Sequence, residues 1–215
     1  MFTLSNAIAC CVVAASLLPG PLQAQQEPQD LVRQMSQDVI RAAKEDPAIQ
    51  RGDRARIRQL VERVILPHVD TARMTALAAG RHWQRATPGQ QDKLAEEFRE
   101  LLMHVYSGAI AQVRDKELVF APMRGDPASG EVEVRSQVVQ KGGVDPIELN
   151  YRLARAKGEW KVYDVSVHGV WLVQSYRDSF SYEIGRNGID GLISALSAKN
   201  DRLAGNAAGT TASGN

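Results

Sequence analysis

The chain has 215 residues, of which 44% are hydrophobic and 24% charged, with a formal net charge of +1. That balance excludes a general nucleic-acid binder, which needs a basic surplus on one face to neutralise phosphates. The only cysteines are Cys10 and Cys11, so a chain that loses its first residues as a leader has no thiol left for a disulfide or a metal.

Such a leader is expected. Residues 7–18, "AIACCVVAASLL", form an apolar run too short for a membrane span and right for a signal-peptide core. Pro19-Gly20-Pro21 breaks the run, and cleavage is expected near Ala24. Residues 25–203 then form a single domain with a sizeable core, and the small, polar stretch 204–215 is expected to be a disordered tail. No later segment approaches the length of a membrane span, so the mature product is expected to be soluble; it is also expected to be a monomer.

The first half reads as helices. Leu31, Val32, Met35, Val39 and Ala42 recur at three- and four-residue spacing until Pro47, and Ile57, Leu60, Val61, Val64 and Ile65 repeat the pattern until Pro67. A short Ala-rich helix over about 70–79 closes at Gly80. Thr87, Pro88 and Gln90 make a capping box at the start of a long amphipathic helix over about 88–115.

After Lys116 the period changes to two. "ELVFAP", residues 131–140, residues 147–153 and "EWKVYDVSVH" (159–168) read as strands, separated by turn material at Asp126-Pro127, Gly142-Gly143 and Lys157-Gly158. Together they predict a four-stranded antiparallel meander with one apolar face. Helical spacing returns at about 170–185. The Gly185, Gly188, Gly191 run predicts a bend before a last helix over 189–199. The fold class is α+β: a helical N-terminal half, the meander, then C-terminal helices. A curved sheet under long helices can enclose an apolar cavity, but periodicity does not distinguish that from a filled core.

Catalytic constellations are missing. His68, His82, His104 and His168 have no metal-ligand spacing among them, and there is no HExxH, GxSxG, SxxK or phosphate loop. His82 sits at a helix-to-helix corner, where a packing role is expected. Asp164, between Tyr163 and Val165, is the carboxylate most enclosed by apolar neighbours, and a structural hydrogen bond is its expected role.

Four stretches together resemble the MlaC family of periplasmic phospholipid-binding proteins, also called the toluene-tolerance Ttg2 auxiliary family. They are "ILPHVD" (65–70), "LAAGRHWQRATPGQQDKLAEEFRELLMHVYSGAI" (77–110), "VDPIELNYRLARAKGEWKVYDVSVHGVWLVQSYRDSF" (144–180) and "GIDGLISALSAKN" (188–200). The resemblance covers about 30–200. At Trp171 the family commonly has a small residue, so an indole there is a departure, as is Gln174-Ser175.

The resemblance implies a periplasmic carrier without enzymatic activity or cofactor, with phospholipid as cargo. Such a carrier maintains outer-membrane lipid asymmetry by exchanging lipid with an inner-membrane MCE-domain ABC transporter complex and an outer-membrane lipoprotein–porin complex. The acyl chains are expected between the sheet face of Val132, Val134, Val138, Leu149, Tyr151 and Val165 and the helical residues Leu102, Tyr106, Ile110, Leu172 and Tyr176, with Trp171 at the cavity or its mouth. Three other readings fit the same pattern: a same-fold carrier of a hopanoid, motivated by Trp171; a small enzyme with a conical cavity using Asp164; and a protein-binding adaptor.

Overall fold

The computed structural model describes residues 26–113, 115–140 and 145–212. The expected leader over 1–24 and the Gly142-Gly143 turn lie outside them.

Helix α1 (Pro28–Glu45) begins with proline at its first turn and buries Leu31, Val32, Met35 and Ala43. A single turn, α2 (Pro47–Gln50), follows, with the Asp46 side chain accepting from the Ala48 amide. Helix α3 (Arg54–Leu60) starts at Asp53 and buries Ile57 and Leu60. Beyond it the chain widens into a π turn, Val61–Ile65, then tightens into a 3-10 turn, Leu66–His68. The segment expected to be one helix therefore changes pitch as it approaches Pro67, which has no amide hydrogen to continue the ladder.

The next helix, α4 (Thr71–Ala79), is capped by Asp70 and ends at Gly80, whose φ of 58° is costly for a residue with a Cβ. The expected long helix is α5 (Pro88–Ala111). Its capping box is present in both directions: the Gln90 amide donates to Thr87 Oγ1, and the Thr87 amide donates to Gln90 Oε1.

The sheet consists of β1 (Lys116–Phe120), β2 (Glu131–Gln140), β3 (Ile147–Ala156), β4 (Glu159–Val167) and β5 (Val170–Trp171), in sequence order and antiparallel throughout. The four expected strands are present, and β5 is additional. Its turn is legible afterwards: His168 and Gly169 both have positive φ (50° and 80°), as do Lys157 and Gly158 between β3 and β4 (52° and 88°). Two-residue turns of this hand match the twist of the strands they join.

A bulge changes the meaning of the alternation in β4. Arg152 pairs with Asp164 but Leu153 pairs with Val162, so Tyr163 is the extra residue. Trp160 and Val162 therefore lie on one face, while Asp164 and Ser166, at the same parity and equally buried, lie on the other.

The closing helix α6 (Leu172–Ala212) is helical throughout except at Gly188, with φ 72° and ψ −176°. The expected bend is thus one residue wide. Gly191 serves differently, because a Cβ there would collide with the Cβ of Asn187, whereas one at Gly185 would meet nothing. Helical backbone continues beyond 199 into the stretch expected to be a disordered tail, reaching Ala212. Its small residues include alanines, which favour helix intrinsically.

The core is divided. One buried cluster joins α4, α5 and α6 through Met74, Leu94, Phe98, Leu101, Phe180 and Leu192. A second joins α1 to the sheet through Leu31, Val32, Met35, Val134, Leu153 and Val162. A third, around Ala43, Ile49, Ile57 and Leu60, ties α1 to α2 and α3. They meet through half-buried residues of the segment after α3: Val69 borders the first two, and Val64 and Ile65 the last two.

Candidate functional site

Strand pairing places most of the expected sheet positions on one face. Val134, Tyr151 and Val165 are in register across β2, β3 and β4, and Val132 pairs with Leu153, Val138 with Ile147 and Leu149 with Val167. Along that face the environment changes. Val132, Val134 and Tyr151 are buried beneath α1, in contact with its Leu31, Val32 and Met35. The Tyr151 phenol, fully enclosed and bonded to Ser36 of α1, is pushed up to about 12 by burial. These three residues are filled core. Val138, Leu149 and Val165, further along, are only half-buried.

The helical positions behave alike. Leu102, Ile110, Leu172 and Tyr176 are half-buried, and Tyr106 is 37% exposed. The Tyr176 ring meets Phe98 edge-on at 4.9 Å, and Phe98 in turn meets Phe180 at 5.1 Å. Burial raises the Tyr176 phenol, and its neighbour Tyr106 adds to the shift. Leu102 and Tyr176 therefore border the cluster of α4, α5 and α6, whereas Ile110 borders the third cluster.

No α5 residue takes part in the sheet's cluster among the described residues. Helix α5 packs on α4 and α6, and α1, not α5, covers the sheet. The half-buried apolar residues of the sheet and of the helices thus border different buried clusters, joined through Val64, Ile65 and Val69.

Trp171 stands apart. It pairs with Ser166, which puts it on the opposite face from Val134, Tyr151 and Val165. There the Arg152 guanidinium lies 3.8 Å from the centre of its ring. The strand register thus separates Trp171 from the sheet residues with which the sequence groups it.

Asp164, 2% exposed, accepts from the amides of Val165 (2.9 Å) and Val173 (3.1 Å), with Arg152 at 3.5 Å. Burial raises its carboxyl despite those bonds. Its role is to hold the first turn of α6 against β4, the structural hydrogen bond expected of it.

The corner containing His82 is also held by packing. Gln91 Nε2 donates to the Trp83 carbonyl at 2.9 Å, and Trp83 packs on the helical cluster. His82 itself lines a groove of about 270 Å³ with Gly80, Arg81, Arg177, Ser181 and Gly185. Among the described residues no group of three or more His, Cys, Asp or Glu is placed to hold a metal, and no helix is long and apolar enough to cross a membrane.

Two further clefts flank β1. One, of about 410 Å³, lies between α1 and β1 over Ile40, Leu118 and Phe120, under a rim of Arg33, Arg41, Lys44 and Lys116. The other, of about 390 Å³, is lined by Gln50, Ala111, Gln112, Asp115, Lys116 and Gln140. The sequence reading named none of these, because their charges are spread over α1 and β1 in no recognisable motif.

The arrangement offers apolar surface and scattered cations. The model of the family described as MlaC protein matches residues 33–198. Over 180 residues the chain is 25% identical to the toluene tolerance protein ttg2D of Pseudomonas putida, covering 83% of each chain. Over 187 residues it is 23% identical to the intermembrane phospholipid transport system binding protein MlaC of Haemophilus influenzae, covering 86% of this chain and 87% of that one. Among solved structures, a phospholipid-binding protein from Ralstonia solanacearum, determined in complex with a phospholipid, has a TM-score of 0.79 and 36% identity. That match covers 83% of this chain and 99% of the other.

Proposed function

This chain belongs to the MlaC family, and on that premise we propose that it is a monomeric periplasmic phospholipid carrier acting by binding, not by catalysis. The single observation that carries the reading is the phospholipid-bound structure, matched over 99% of its length at 36% identity. The partners that follow from the family are an inner-membrane MCE-domain ABC transporter complex and an outer-membrane lipoprotein–porin complex. Exchange between them would maintain outer-membrane lipid asymmetry.

The energetics favour such a site over a polar one. Moving hydrocarbon into water costs about 0.8 kcal/mol per methylene, so two chains of roughly 16 carbons present a barrier of order 25 kcal/mol. A carrier lowers that barrier by supplying apolar surface. The half-buried residues Val138, Leu149, Val165, Leu102, Ile110 and Tyr176 keep part of their apolar surface uncovered, and to them we assign the contact with the acyl chains. Val132, Val134 and Tyr151 lie beside that lining on the same sheet face, beneath α1. The hopanoid reading rested on Trp171, which lies on the other face, so phospholipid is the cargo the observations favour.

The test is to purify the mature protein without detergent and identify what accompanies it by native mass spectrometry and organic extraction. Phospholipid near one molecule per protein is expected. Protein free of lipid, and unable to take it from vesicles, would reject the reading.

A further inference from the structure

The cleft between α1 and β1 is amphipathic in a way the carrier reading does not require. Its α1 wall is one helical stripe, Arg33, Ser36, Gln37, Ile40, Arg41 and Lys44. Its floor includes Leu118 and Phe120, which pair with Val138 and Ser136 and therefore stand on the same sheet face as Leu149 and Tyr151. A row of apolar residues, Leu118–Val138–Ile147, runs from the cleft across β1, β2 and β3.

The four rim cations are not equivalent. Arg33 lies over the Phe120 ring at 4.3 Å and faces Asp30 at 3.8 Å. Arg41 is ion-paired with Asp38. Lys44 and Lys116 form no ion pair among the described residues. Lys116 also lines the neighbouring cleft of Gln50, Gln112, Asp115 and Gln140, so its side chain stands where an apolar trough meets a polar one. Glu117 is the one acid lining the α1–β1 cleft.

We propose that Lys44 and Lys116 form a phosphate subsite for the cargo, binding the phosphodiester of a phospholipid whose chains continue over Leu118 and Val138. The inference rests on the carrier reading and adds the headgroup's location. A phosphodiester carries one negative charge and accepts hydrogen bonds. Two ammonium groups that form no ion pair among the described residues, beside the apolar floor of Leu118 and Phe120, suit it. The adjoining cleft, whose lining includes Gln112, Asp115 and Gln140, then lies next to whatever the phosphate carries.

The experiment separates phosphate recognition from chain binding. Phosphatidylglycerol and diacylglycerol with identical chains are offered at equal, minor mole fractions in phosphatidylcholine vesicles, and the lipid captured by the full mature protein is quantified. Wild type is expected to prefer phosphatidylglycerol. The Lys44→Ala/Lys116→Ala variant is expected to lose about tenfold of that preference, the scale of one charge-assisted hydrogen bond. Lys44→Arg/Lys116→Arg should retain it. An unchanged preference in the alanine variant overturns the subsite while leaving the carrier reading intact; wild type that captures neither lipid removes both.

Amine acetylation of wild type gives a second measure that needs no variant. Phosphatidylglycerol is expected to protect Lys44 and Lys116, and diacylglycerol is not. Protection by inorganic phosphate as strong as by lipid would identify a free-anion site and overturn the headgroup assignment, as would absence of protection by phosphatidylglycerol.

Discussion

Two tryptophan substitutions on one sheet face should have opposite consequences. Val134 is 0% exposed and packed beneath α1, whereas Leu149, on the same face, is half-buried. In Val134→Trp an indole has no space and must displace α1, at a cost of about 1–3 kcal/mol. For a domain of this size that lowers Tm by roughly 2–12 °C. In Leu149→Trp the indole extends into the region we assign to acyl chain. If it denies contact to about three methylenes at ~0.8 kcal/mol each, affinity falls by ~2.4 kcal/mol, or about 50-fold. Thermal melting and extraction of co-purified phospholipid read both quantities. Compared lipid-free, Leu149→Trp should melt as wild type does, and as purified it should carry little lipid. Wild-type lipid content in folded Leu149→Trp would remove this part of the sheet from the lining, and a wild-type Tm for Val134→Trp would refute the filled packing beneath α1.

Trp171→Ser should leave lipid content unchanged, because the side chain sits on the opposite face against Arg152; altered content in quantitative extraction would count against that placement. Phe98→Ala removes a fully buried ring shared with Tyr176 and Phe180 and should cost about 3–5 kcal/mol in denaturant unfolding; a loss below about 1 kcal/mol would show that the cluster repacks freely. Arg58 donates to both Glu100 oxygens, at 2.9 and 2.6 Å, and holds that carboxyl below its usual range. The folded pKa is therefore lower than the unfolded one, near 4.3, so the pair's stabilisation is present above that value and lost as pH falls through the folded pKa. Unfolding of wild type and Glu100→Gln across pH should differ by about 1 kcal/mol at neutrality, discounted for the pair's partial exposure, and converge in acid.

Much of the architecture was legible because it is written locally. The Thr87–Gln90 capping box, the stop before Pro47, the period of two after Lys116 and the break at Gly188 each depend on residues a few positions apart, and each appears where the sequence places it. The additional strand β5 was legible in principle, since His168-Gly169 has the character of a two-residue hairpin turn. The family resemblance was legible for another reason: scattered short motifs are jointly specific even where each alone is weak.

Which apolar positions stay open was not legible. An alternating strand or an amphipathic helix declares which of its own faces is apolar, but not what will cover that face. Helix α1 covers Val132, Val134 and Tyr151, while α5 packs on α4 and α6, a choice made by the summed packing of residues far apart in the chain. The extra residue Tyr163 reverses the parity of β4, and pairing of β5 with Ser166 then sends Trp171 to the far face. Likewise Lys44 and Lys116 become neighbours of one cleft only when α1 is laid beside β1. Sequence period determines a side chain's direction relative to its own element; register and inter-element packing decide what that side chain meets.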